Sequence, residues 1–234
     1  MKKSKKGFWL FIAPALIAFT IVQIIPTFMG IGYSFTDWDG ISKTKHFVGL
    51  SNYITILTND LLFRKAFVFT LLFSVCAVIS VNVIGFALAM LVTQKIKGSN
   101  FLRGVFFMPN LIGGIVLGYI WQTLLNGLLS KWGQPLLALS AKNGFIGMLI
   151  LLCWQQIGYM MIIYVAGLNN VSPDLIEAAQ IDGATSRQIL FKIKLPMIMP
   201  SVTICTFLTL TNGFKMFDQN LSLTGGDPAK QSQL

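Results

Sequence analysis

Residues 144–168 read GFIGMLILLCWQQIGYMMIIYVAGL, a stretch without a single Asp, Glu, Lys or Arg. A helix rises 1.5 Å per residue, so about 20 apolar residues cross the hydrocarbon of a bilayer. Lipid offers backbone N–H and C=O groups no partner, and the stretch is too long and continuous for a barrel strand. It therefore reads as a membrane-spanning helix.

Extended to its nearest charges, the run covers 143–173, and four others resemble it: 7–36, 66–94, 104–130 and 195–214. The chain as a whole is 54% hydrophobic and 11% charged, outside the range of soluble domains. Five transmembrane helices are predicted. The first follows KKSKK, but its apolar part far exceeds the roughly 7–15 residues of a signal-peptide core, and no small-residue cleavage pattern closes it. It reads as an uncleaved anchor.

With the N-terminus in the cytoplasm, Lys2, Lys3, Lys5, Lys6, Lys95, Lys97, Arg103, Arg187, Lys192 and Lys194 fall inside, close to helix ends. Eight other basic residues, from Lys43 to Lys230, fall outside. The positive-inside rule favours this orientation. The net charge of +10 is thus a matter of topology, and no nucleic-acid partner is expected. Trp9, Tyr33, Trp38 and Trp132 fit interfacial anchors. Catalysis finds no support: there is no G-x-x-x-x-G-K-[ST], His46 is the only histidine, and Cys76, Cys153 and Cys205 are scattered through the spans. Neither metal nor cofactor is expected.

Between the last two runs lies a polar segment with ordered punctuation, EAAQIDGATSRQILFKIKLPMIMP, residues 177–200. Ser172 and Pro173 suit a helix start, with Asp174 and Glu177 near the positive end of the dipole. Asp182-Gly183 supplies a stop, and Thr185 and Gln188 have capping-box spacing for a second helix over 186–194, which Pro196 ends or kinks. So short a first helix is stable mainly when docked. Two readings stand on the physics alone: a docking element or a solvated linker.

The residues Glu177-Ala178-Ala179, Asp182-Gly183-Ala184, Phe191, Ile193, Leu195-Pro196 and Pro200 resemble the EAA loop of binding-protein-dependent ABC importer permeases. YSFTDWDG, FVGLSNY, FFMPNLIGGIVLGYIW and FKMFDQNLSLTGG resemble the sugar-importer branch, in the manner of maltose and glycerol-phosphate systems. The resemblance implies one helical permease domain over 1–234, with a cytoplasmic coupling loop at 172–196 that docks onto an ATPase through Glu177, Ala178, Ala179, Asp182, Gly183 and Ala184. It also implies the partners: two ATPase subunits, a second homologous permease and an extracellular or periplasmic solute-binding protein. The substrate would be a sugar or oligosaccharide. Such permeases have at least six helices, so the last is expected to be missing from this chain.

Asn82, Gln122, Asn126, Gln155, Gln156 and Asn212 are polar groups within the runs. Each either lines a sugar path or makes an interhelical hydrogen bond, worth about 0.6 kcal/mol on average. Gln156, Asn212 and Lys215 are the candidates for the path, although Lys215 and Asp218, near the outer end of the fifth helix, also suit snorkelling. Gly114 and Gly118 form a small-xxx-small pattern that predicts close helix packing. An ion-driven transporter would need ionisable groups in mid-membrane, which the five runs lack; an importer of a non-sugar solute remains the nearer alternative.

Overall fold

The computed structural model describes residues 5–94 and 98–226. Lys2, Lys3, Lys95, Lys97, Lys230 and the end of the chain from residue 227 lie outside the described residues. The chain falls into two compact units, residues 1–64 and 65–234. Among the described residues there is no strand, only an isolated bridge between Thr36 and Phe47.

In the first unit, α1 (Lys5–Phe19) passes through a π-helical turn, Thr20–Ile24, into α2 (Ile25–Tyr33). Together they supply one candidate span, Gly7–Tyr33, with none of its most apolar window buried. The π turn has a local cause. Pro26 has no N–H and its ring crowds the carbonyl four residues back. The Ile25 N–H bonds the Thr20 carbonyl five residues back, which widens the helix just before the proline.

The following loop is built rather than loose. Asp39 Oδ1 accepts from the N–H groups of Ser42 (2.7 Å) and Ile41 (2.9 Å), and these bonds hold its carboxyl down at about 2. Asn52 Nδ2 donates to the Ser34 and Thr36 carbonyls at 3.0 and 2.8 Å. Tyr33 and Trp38 pack as a tilted pair beneath Lys45, whose Nζ lies 4.4 and 4.2 Å from their ring centres. The helix α3 (Ser51–Thr58) closes the loop.

The second unit is reached along α4 (Leu61–Val92) and contains α5 (Ser99–Phe107), α6 (Gly114–Lys131), α7 (Ala141–Asn169), α8 (Pro173–Ile181), α9 (Ser186–Gln188), α10 (Leu195–Met197), α11 (Met199–Phe214) and α12 (Phe217–Thr224). Two of the five predicted spans are not continuous helices. Ser99–Leu111 and Gly114–Lys131 meet at 100°, and Ser186–Met197 and Met199–Phe214 at 70°. Pro109 lies in a 3₁₀ turn before Ile112 and Gly113, both extended, while Pro196 and Pro200 flank the second bend at Ile198. Pro196 withdraws a ladder donor just before the second bend, and Pro200 suits the first turn of the helix that follows it.

Two apolar cores fill this unit. One gathers Val81, Ala89, Met160, Met161, Tyr164, Ile198 and Cys205 towards the end that carries α8. The other gathers Phe73, Ala77, Leu117, Met148, Leu151, Leu152, Met216 and Leu223 towards the opposite end. Helix α7 runs through both, and Gly158 on it lets α5 cross at contact distance. A Cβ there would overlap the Phe106 carbonyl, with Phe107 N at 2.8 Å. The pattern Gly114 and Gly118 packs as predicted, and its partner is α12: a Cβ at Gly114 would meet Gln219 Cδ at 2.9 Å, and one at Gly118 the Ser222 hydroxyl.

Candidate functional site

The loop over 172–196 forms two helical pieces with a fixed turn between them. Ser172 is extended ahead of Pro173, in the N-cap position, but its hydroxyl takes no bond from the first turn. Proline at the first position and Asp174 in the first turn are what suit this end. At the other end Gly183 takes φ 78°. Its N–H bonds the Gln180 carbonyl (3.1 Å), and the Ala184 N–H bonds the Ala179 carbonyl (2.9 Å). This is the Schellman arrangement, which a glycine in left-handed conformation permits. Thr185 and Gln188 then form both bonds of the capping box: Thr185 N–H donates to Gln188 Oε1 (2.7 Å), and Gln188 N–H to Thr185 Oγ1 (3.4 Å). The helix is α only to Gln188; a π segment, Ile189–Lys194, follows and ends two residues before Pro196, as the earlier one ends before Pro26.

These locks decide which face of α8 is presented. Ile176 packs against the core beside buried Val171, and Ala179, one turn on, is half-buried. Glu177, Ala178, Asp182 and Gly183 are exposed, and Ala184 is half-buried. Leu175 and Ile181 accompany Ala178 on the free side, with Ile181 87% exposed. Ile176 therefore anchors the helix. Ile181 was not singled out in the sequence, although its spacing from Leu175 and Ala178 carries the signal. Asp182, Gly183, Ala184, Gln188, Lys192 and Ile193 line a shallow recess of about 250 Å³ beside this turn.

Gln155, Gln156, Asn212 and Gln219 form a polar layer between the two cores, and the other polar residues of the spans pair within or beside a core. Gln156 Oε1 accepts from Asn212 Nδ2 (3.1 Å). Gln155 Nε2 donates to the Ile112 carbonyl, and its Oε1 accepts from Gln219 Nε2, each at 3.2 Å. Asn82 Oδ1 accepts from the Tyr164 hydroxyl (2.6 Å), while Asn82 Nδ2 reaches the Val78 carbonyl and Thr209 Oγ1. Gln122 Nε2 donates to the Leu223 carbonyl (3.1 Å), and Asn126 Oδ1 accepts from Leu137 N–H (2.9 Å). A buried amide must find such partners.

Lys215 is not at the outer end of a span. Its neighbours Asn212 and Gln219 bond Gln156 and Gln155 at the midpoint of α7, and Gly213 lies against Ser74 near the midpoint of α4. The chain breaks there, between α11 and α12. Lys215 is exposed and Met216 fully buried. No ion pair to Lys215 forms among the described residues. A cation thus lies at a depth where the sequence runs contained none, because the last run ends in mid-bundle rather than at a surface.

Residues 81–233 match the family described as binding-protein-dependent transport system inner membrane component. The chain belongs to this family. The permease is 46% identical to the probable starch degradation products transport system permease protein AmyD of Thermoanaerobacterium thermosulfurigenes, over 97% of this chain and 80% of that protein. It is 33% identical to the multiple sugar-binding transport system permease protein MsmF of Streptococcus mutans, over 94% and 78%. With the trehalose/maltose transport system permease protein MalF of Thermococcus litoralis it shares 29%, over 97% and 79%. Its fold matches a chain of a bacterial ABC transporter involved in the import of the acidic polysaccharide alginate, with a TM-score of 0.76 at 21% identity, covering 97% of this chain and 81% of that one. The expected architecture, a membrane-embedded helical bundle of the importer-permease kind, is thereby borne out.

Proposed function

We propose that this permease is one membrane-spanning half of a bacterial ABC importer for a sugar or oligosaccharide. The observation that carries the coupling is α8: held by Ile176 on one side and by a Schellman turn and capping box at its end, it presents Leu175, Ala178 and Ile181 as a free apolar face. Such a face, on a helix of nine residues, suits a cleft in a separate ATPase subunit. Glu177, Asp182 and Gly183 flank that contact, and Ala179 and Ala184 support it. The sugar follows from relatives named for starch degradation products, multiple sugars and trehalose/maltose.

In this reading the N-terminus and the loop over 172–196 are cytoplasmic, in keeping with Arg187, Lys192 and Lys194 beside it. Two ATPase subunits hydrolyse ATP, so the chain itself has no enzymatic task. A second homologous permease completes the path, and an external solute-binding protein delivers the sugar. Closure of the ATPases moves α8, and through the π segment α11, so that the cavity alternates its access. Gln156, Asn212 and Lys215 lie beside the break between α11 and α12, where amide and ammonium groups suit the donors and acceptors of a sugar.

Co-purification in mild detergent with the ATPase and the second permease tests the coupling. Ala178→Asp places a charge in the free face, and the ATPase should be lost from the complex while the two permeases stay together. Retention of the ATPase at the wild-type ratio would remove α8 from the interface.

A further inference from the structure

We propose that Gln155 is a positioning residue for transport: its one carboxamide ties the break at Ile112 to the start of α12, just past the break at Lys215 and Met216, so that α6, α12 and the middle of α7 move as a single body. This rests on the reading of the chain as a translocating permease.

Ile112 is extended, with φ −84° and ψ 131°, so its carbonyl is released from the helical ladder in the interior of the bundle. An unpaired carbonyl buried there is costly. The Gln155 amide donates to it at 3.2 Å, and the same side chain accepts from Gln219, in the first turn of α12, at 3.2 Å. Gln219 also covers Gly114, the first residue of α6. The next residue of α7 holds the other side of the break between α11 and α12, since Gln156 bonds Asn212 near the end of α11. Adjacent glutamines therefore fix the two ends that meet at Lys215 and Met216.

The layer lies between two apolar cores, and the difference in chemistry matters. Apolar contact is non-directional and survives a small slip of one helix past another. A planar amide with two bonds does not, because donor and acceptor must stay in line. Gln155 is 6% exposed and both of its bonded atoms are committed, as a clamp requires. Loss of the clamp frees α12 from the break at Ile112 while leaving both cores and the coupling loop intact. The step affected is the movement that follows binding, not binding itself.

The test uses the importer reconstituted in liposomes with its ATPase, second permease and solute-binding protein, and labelled maltotriose as probe. Gln155→Leu should lower the maximal uptake rate per assembled complex about tenfold, equivalent to about 1.4 kcal/mol in the barrier, with the half-saturating concentration unchanged. Gln219→Leu leaves the bond to Ile112 in place and should act in the same direction by a smaller factor. The double variant should be no slower than Gln155→Leu, because both changes remove one network. Hydrogen exchange on the same complexes, which needs no solute, should rise together at 112–114 and 217–224 in Gln155→Leu. A wild-type rate per complex with fewer complexes assembled, independent effects that multiply in the double variant, or exchange that rises in neither segment or only one, would overturn the proposal. If the wild-type importer takes up no sugar, the substrate reading fails, and the exchange measurement still decides the clamp.

Discussion

Gly158→Ala probes the closest approach in the bundle. The α-carbon of Gly158 faces the turn where α5 ends, and a Cβ there would overlap the Phe106 carbonyl and come within 2.8 Å of Phe107 N. The obstacle is backbone, which has no rotamer to yield, so α5 must lift away from α7. Overpacking of a tight core costs about 1–3 kcal/mol, and a backbone obstacle points to the upper part of that range. At roughly 2–4 °C per kcal/mol for a domain of this size, the melting temperature in detergent should fall by about 6–12 °C. Gly127→Ala supplies the control: nothing lies within 4 Å of a Cβ at Gly127 in α6, and replacing a helical glycine by alanine there should be neutral or stabilising by up to about 1 kcal/mol. Both melts are read from tryptophan fluorescence on the purified permease. If Gly158→Ala melts with the wild type, or if the two variants shift alike, α5 does not press on α7 as described.

Other perturbations act outside the spans. Thr185→Ala removes the side-chain half of the capping box and should weaken the turn after α8 by about 1 kcal/mol, with Thr185→Ser nearly neutral; trypsin cleavage at Arg187 should quicken in the first and not in the second. Asp39 is held at about 2, below its ordinary 3.8, by hydrogen bonds from Ser42 and Ile41. The order it lends to its loop is therefore present in full above pH of about 4 and is lost as the pH falls through about 2. Fluorescence of Trp38, whose indole N–H donates to the Ser42 carbonyl at 2.8 Å, should report that transition, and Asp39→Asn should abolish its pH dependence.

Much of the helical bundle was legible in the residues because its causes are local. Uncharged runs mark the solvent each segment must meet, and Thr185 with Gln188, or Gly183 after Asp182, carry the turn chemistry within a few positions. The prolines carried half of a message: Pro26 and Pro196 announce a disturbance, but whether a proline produces a π turn or a bend of 70° depends on what the helix packs against. The face of α8 was likewise ambiguous. Leu175 and Ile176 are alike as sequence, and only the core beside Val171 makes one an anchor and leaves the other free.

From the residues alone it follows that the chain lies in lipid, that its spans are helices, and that a capped turn separates the last two runs. Which polar groups pair is settled by the packing of the helices. Gln155 meets Gln219 across 64 residues, Gln156 meets Asn212 across 56, and Asn82 meets Thr209 across 127. Hydropathy is summed over neighbours in the chain, whereas the depth of Lys215 is set by helices that reach it from elsewhere. That is why a residue read as the outer end of a helix lies instead at a break in the middle of the bundle.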